Sequence, residues 1–358
     1  MAMLRWFLLM SFFCCFLSAA KGEDPPFYPD KTKLLVYLDK EGKDHSITTA
    51  QDWPKRRAHI LANMQLVMGP LPDSSRKVAL DVKVVEEVKA EKFVRKKLTF
   101  AVEPNDRLWA YLFIPHDRPG KLPAVLCLHP TSRDLGKGAP SGFGGKTDRQ
   151  YAVHLAERGY VTLAPDYVNS GDYKFDPYKN GYTSATMKGI WNHMRSVDFL
   201  QSLPEVDPER IGVLGHSLGG HNSMFVAAFD PRIQCIVSNC GFCSFPRYYH
   251  GNLAGWSHDG YMPRIRSHYQ LKPEKMPFDF TEVVGALAPR PFLASAPIKD
   301  GNFDVQGVKD CIAAAKPVYE LLGAAEKLAA NYPDCGHDFP DDVRKVAYEW
   351  LDRRLKKK

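Results

Sequence analysis

A serine stands between glycines in Gly215-His216-Ser217-Leu218-Gly219-Gly220. Residues 211–214 before it form a short apolar run suited to a buried strand, and residues 217–229 after it carry a helical pattern. A serine on a strand-to-helix turn is held in a strained backbone, with its hydroxyl raised above the strand end. Glycines on both flanks let strand and helix approach without Cβ clashes. The Leu218 amide then opens the helix and points at negative charge developing on an attacked carbonyl. The chemistry is nucleophilic attack on an acyl carbon. A bare Gly-x-Ser-x-Gly recurs by chance; its place between a strand and a helix makes this one specific.

A serine hydroxyl needs a base, and the base needs an orienting acid. On this kind of turn the order along the chain is serine, acid, histidine. Downstream stand His221, His250, His258, His268 and His337. His337, in Cys335-Gly336-His337-Asp338-Phe339 between the last strand and the last helix, occupies the expected place of the base. His221 lies one helical turn past the serine and reads as a packing residue. The others fall in an irregular insertion. The acid should follow the strand at 291–296, where Asp300 and Asp304 are the candidates. Asp300 is preferred, because it comes first on a glycine-turned loop; Asp304 is the alternative, and the other of the two is a loop or helix-cap aspartate. A second oxyanion donor is expected after the strand at 124–128, in His129-Pro130-Thr131. Proline has no N–H, so the candidate is the Thr131 amide. His129 reads as a loop histidine and Asp166 as a structural residue at a strand end. Arg133 is either a solvated loop arginine or a contact for a substrate carboxylate.

These residues need elements to hold them. Residues 53–68 have helical spacing that stops at Gly69-Pro70. From 78 to 114 the pattern is β, in runs at 78–88, 93–102 and 108–115, with a hairpin turn at 104–106. Strands are expected at 124–128, 160–164, 211–214, 233–238, 291–296 and 327–332. Helices alternate with them at 151–158, 186–203, 217–229, 308–322 and 343–355. Fully apolar strands alternating with helices imply a mostly parallel sheet covered on both faces, an α/β architecture. The insertion at 242–280 carries Tyr248, Tyr249, Trp256, Tyr261 and Tyr269. It reads as a lid or pocket wall, with Trp256 a candidate substrate contact, or equally as aromatics packing the insertion down.

The chain has 358 residues, 44% hydrophobic and 25% charged, which excludes a collagen-like or disordered polymer. Residues 1–20 carry one charge, Arg5, and an apolar run of signal-peptide length ending in small residues. A cut after residue 20 or 22 is expected; an uncleaved anchor is the alternative. The organisation expected is a signal peptide at 1–20, a leader and packing helix at 21–77, and a catalytic domain at 78–358. The formal charge of +7 is concentrated in the tail Asp352-Arg-Arg-Leu-Lys-Lys-Lys358. The body is left nearly neutral, with no basic stripe suited to nucleic acid. Cys240-Gly-Phe-Cys243 has neither a second Cys pair nor a His pair at metal-ligand spacing and reads as buried cysteines at a strand end.

The span 98–355 resembles the α/β-hydrolase superfamily. Within it, the chain resembles the group joining dienelactone hydrolases, acetyl-xylan esterases and the catalytic domain of prolyl oligopeptidases. The matching residues are LHPT at 128–131, LAERGYVTLAPDY at 155–167, VDPERIGVLGHSLGG at 206–220, APRPFLASAP at 288–297 and GHDFP at 336–340. The layout favours one catalytic domain with an N-terminal antiparallel β extension, and the resemblance implies an eight-stranded, mostly parallel sheet. It also implies Ser217, Asp300 and His337 at the triad positions, with neither metal nor organic cofactor. Dienelactone hydrolases use a cysteine where Ser217 stands. Prolyl oligopeptidases carry a propeller for which the residues before the core are too few, and HPT replaces the HGG loop of many esterases. The expectation is an exported, periplasmic or secreted, serine hydrolase that cleaves carboxylic esters, possibly of acetylated glycans. It would bind neither nucleic acid nor, after signal cleavage, the membrane. The alternatives are a serine peptidase of prolyl-oligopeptidase type, or a non-catalytic binding protein on the same scaffold.

Overall fold

A computed structural model describes residues 24–116 and 120–356. The expected signal peptide, residues 1–20, and the last two lysines of the tail lie outside the described residues. In the leader, β1 (Val36–Leu38) and β2 (Asp44–Ser46) form a small antiparallel pair. Helix α1 (Trp53–Met68) has a proline in its first turn, where a missing N–H costs nothing, and buries Ile60, Met64 and Val67.

The main sheet follows. Strands β3 (Lys83–Lys89), β4 (Phe93–Glu103) and β5 (Asp106–Pro115) form an antiparallel meander. The turn between the last two passes through Asn105 at φ +61°. Then come β6 (Leu122–Leu128), β7 (Val161–Pro165), β8 (Val206–His216), β9 (Ile233–Asn239), β10 (Phe292–Ser295) and β11 (Leu328–Asn331). The order across the sheet is β11-β10-β9-β8-β6-β7-β5-β4-β3. The six strands from β11 to β7 are parallel to their neighbours, and β5 joins β7 antiparallel, Ala110 opposite Pro165. The sheet therefore has nine strands, where the resemblance implied eight, because the meander continues the parallel block instead of standing apart. β3 is its exposed outer edge and begins later than the apolar pattern suggested; Asp81, at φ +38°, breaks the extended run.

Helices cover both faces. They are α2 (Tyr151–Glu157), α3 (Ala185–Ser202), α4 (Leu218–Phe229), α5 (Arg264–Ser267), α6 (Phe280–Leu287), α7 (Val305–Leu321) and α8 (Asp341–Leu355). Strand alternation feeds two cores. Val125, Cys127, Leu214 and Val237 face α2 and α8; Leu126, Leu128, Val213 and Ile236 face α1, α3, α4, α6 and α7. Each such side chain contributes about 1.5–3 kcal/mol by leaving water. Among the described residues no helix is long and apolar enough to cross a membrane.

Buried ion pairs fasten the parts that flank the strand ends. Arg56 of α1 donates to Glu282 of α6 at 2.5 Å, both fully buried, and the Tyr28 ring stacks on the guanidinium. Lys188 of α3 lies 2.6 Å from Asp106 and 3.2 Å from Glu103, which also accept hydroxyls from Tyr173 and Tyr182. Lys137 bridges Asp166 and Asp172, at 2.7 and 2.5 Å. The last two clusters fix the segment 166–184, which forms one wall of a groove at the strand ends.

Candidate active site

β8 ends at His216 and α4 begins at Leu218, so Ser217 alone makes the turn. Its backbone sits at φ +56°, ψ −117°, strain on the order of 1–3 kcal/mol for a non-glycine residue. The turn is held by the Ser217 N–H, which donates to the Asn239 carbonyl at 2.9 Å. Its tightness accounts for the flanking glycines. A Cβ on Gly219 would lie 1.9 Å from the Leu128 carbonyl oxygen, and one on Gly215 would lie 2.1 Å from that of Gly219. Ser217 is half-buried, and its hydroxyl makes no hydrogen bond among the described residues.

Asp300 follows β10 on a turn whose amides fold back on it. Its Oδ1 accepts from Asn302 at 2.8 Å and Phe303 at 3.2 Å. Both carboxylate oxygens lie 2.9 Å from His337 Nδ1. The acid is buried, its side chain 1% exposed, whereas His337 is 21% exposed. His337 stands between β11 and α8. Arg149 donates to its carbonyl at 3.2 Å, and Lys146 and Arg149 both reach Asp338. Burial opposes ionisation of Asp338, but the contacts with Lys146, Asp148 and the Phe339 amide together outweigh it and hold that carboxyl well below the usual range. Asp304 is placed differently. It caps α7, accepting from the amides of Gln306 at 2.6 Å and Gly307 at 3.3 Å.

Thr131, Leu218, His221, Trp256 and Tyr261 line a pocket of about 210 Å³ that also contains Ser217. The amides of Thr131 and Leu218 donate to no group among the described residues. His129 holds the Thr131 loop: its Nδ1 donates to the Pro130 carbonyl at 2.6 Å and its Nε2 accepts from Tyr167 N–H at 2.8 Å. That pattern requires a neutral ring, and burial lowers its pKa. His221 is buried in the same way and held at about 3. Trp256 is both wall and packing residue, with its ring 4.8 Å from that of His221 and 5.3 Å from that of Phe280. Arg133 lines a wider groove of about 880 Å³, which shares Thr131, Leu218 and Tyr261 with the pocket.

Sequence reading passed over three residues. Tyr261, one aromatic among several, places its hydroxyl 3.0 Å from Thr131 Oγ1. His216 lies with its ring 4.9 Å from that of His337. Asn239 bonds both sides of the site; its signal was its place at the end of the strand next to the serine's. Cys240 Sγ, an Asp300 oxygen and a His337 nitrogen lie within 4.8 Å of one another, but two of these are the bonded acid–histidine pair. The six cysteines of the described residues are free thiols, five of them buried.

Fold and site define a serine hydrolase on the α/β-hydrolase scaffold. The profile of the prolyl oligopeptidase family matches residues 147–357, and the chain belongs to that family. A Bacillus subtilis protein named "Putative hydrolase YtaP" is 26% identical over 81% of this chain and 96% of its own length. Acetyl esterase Axe7A of Xylanibacter ruminicola is 27% identical over 57% of this chain and 48% of its own length. Among solved structures, a glucuronoyl esterase from Solibacter usitatus superposes with a TM-score of 0.73 at 21% identity, over 92% of this chain and 98% of that one.

Proposed function

We propose that the protein cleaves carboxylic esters through an acyl-enzyme on Ser217. The Asp300 carboxylate holds the His337 proton on Nδ1, leaving Nε2 to take the Ser217 proton as Oγ attacks the ester carbonyl. The amides of Leu218 and Thr131 receive the developing oxyanion. His337 then protonates the leaving alcohol, and water, deprotonated by the same ring, releases the acid. The observation that carries this reading is the Asp300–His337 pair, 2.9 Å apart, at the ends of neighbouring strands beyond a serine on a strained turn.

The substrate is an acylated glycan or a smaller sugar ester, met outside the cytoplasm after removal of residues 1–20. Support comes from the aromatic wall of the pocket, Trp256 included, and from the names of the acetyl esterase and glucuronoyl esterase relatives. Arg133, which lines the groove beside the pocket, would contact a carboxylate of the substrate. Residues 78–358 form the catalytic domain, with the leader clamped onto it.

The test sets wild type beside Ser217→Ala on acetylated xylan, p-nitrophenyl acetate and a proline-containing chromogenic amide. Acetate release from the polymer by wild type, lost in the variant, is expected. Turnover of the amide with none of p-nitrophenyl acetate would favour a peptidase, which the family name makes the second reading.

A further inference from the structure

Strand β9 supplies none of the three proposed catalytic residues, yet it runs between those that do. Its last residue, Asn239, is in register with His216 of β8 on one side and Ser295 of β10 on the other. Its carbonyl accepts the Ser217 N–H at 2.9 Å. Its side-chain nitrogen lies 2.7 Å from His216 Nδ1, 3.1 Å from the Asp338 carbonyl oxygen and 3.4 Å from Cys240 Sγ. One buried residue thus ties the serine turn to the residue that follows His337. The orientation of the amide is fixed, because the Asp338 carbonyl only accepts and must face the nitrogen. The same nitrogen then donates to His216, whose proton is left on Nε2. His216 is buried and held well below the usual imidazole range, so a neutral ring packs against His337.

We propose that Asn239 is a positioning residue: its amide sets the distance between Ser217 and His337 by tying the histidine loop to the end of β9. This rests on the catalytic reading above. Asn239 does not line the pocket, so its effect falls on kcat and not on KM.

The test compares Asn239→Ala and Asn239→Asp with wild type and Ser217→Ala on p-nitrophenyl acetate. Aspartate keeps the size of the side chain but, ionised, cannot donate to the Asp338 carbonyl. Both Asn239 variants are expected to lose about 10- to 100-fold in kcat per folded molecule, the scale of a small misplacement of reacting groups. KM should hold within about twofold. Fluorophosphonate labelling of Ser217 should slow by a similar factor. Wild-type kcat in Asn239→Asp, or losses in both variants that track only the folded fraction seen by circular dichroism, would overturn the inference. An active Asn239→Ala beside an inactive Ser217→Ala removes this inference alone; an active Ser217→Ala removes the catalytic reading and the inference with it.

Discussion

At the residue scale, Asp300 and Asp304 follow the same strand four positions apart, and spacing alone left both open. Geometry separates them. One carboxylate faces a histidine; the other is occupied by two amides at the start of α7. Asp300→Asn should therefore lower kcat by about 10³- to 10⁴-fold, as expected when the histidine loses its orienting acid. Asp304→Ala should leave kcat near wild type and cost about 1 kcal/mol of stability through the lost cap, read by urea unfolding. Reversed results would exchange their roles. The serine and histidine were legible because each sits in a distinctive local motif. His216 and Asn239 were not, because their importance arises from contacts across strands that residue type alone does not announce.

At the element scale, the strands of the parallel block were legible from their apolar runs, since burial on both faces leaves little room for polar residues. Helix α6 was not. It is eight residues long and buried throughout, so its polar residues Thr281 and Glu282 face protein, and two turns are too few for the pattern to repeat. β1 and β2 are three residues each, too short to alternate visibly. The serine turn gives this scale a sharp prediction. Gly219→Ala places a methyl group 1.9 Å from a backbone oxygen, so the turn must open. The variant should lose Ser217 labelling by a fluorophosphonate even where it still folds; labelling at the wild-type rate would show that the turn has slack. The leader clamp gives another. Glu282→Ala strands Arg56 in the core and should cost about 3–5 kcal/mol, whereas Arg56→Met with Glu282→Leu should recover most of that loss. A double variant as unstable as the single one would mean that the pair stabilises the fold outright.

At the scale of the whole molecule, the partners of that clamp lie 226 residues apart, and nothing local in either segment discloses the other. The same closure buries histidines. Burial holds His193 and His221 at about 3, against 6.5 for a free ring. Below pH 6.5 the unfolded chain takes up protons at both sites and the folded chain does not. Stability is thus full above that pH and falls as pH drops toward 3, by about 1.4 kcal/mol per unit for each ring. Urea unfolding at pH 6.5 and 4.5 checks this, and His193→Phe should remove about half of the two-ring difference. An unchanged midpoint would mean that the rings gain protons in the folded state. The central claim concerns the chemistry that this architecture serves, and it is tested most directly by trapping the intermediate. Protein quenched in acid during turnover of p-nitrophenyl acetate, digested and weighed by mass spectrometry, should carry one acetyl group on the peptide holding Ser217, and Ser217→Ala should carry none. Turnover with no acetyl on Ser217, or full turnover by Ser217→Ala, would contradict the account.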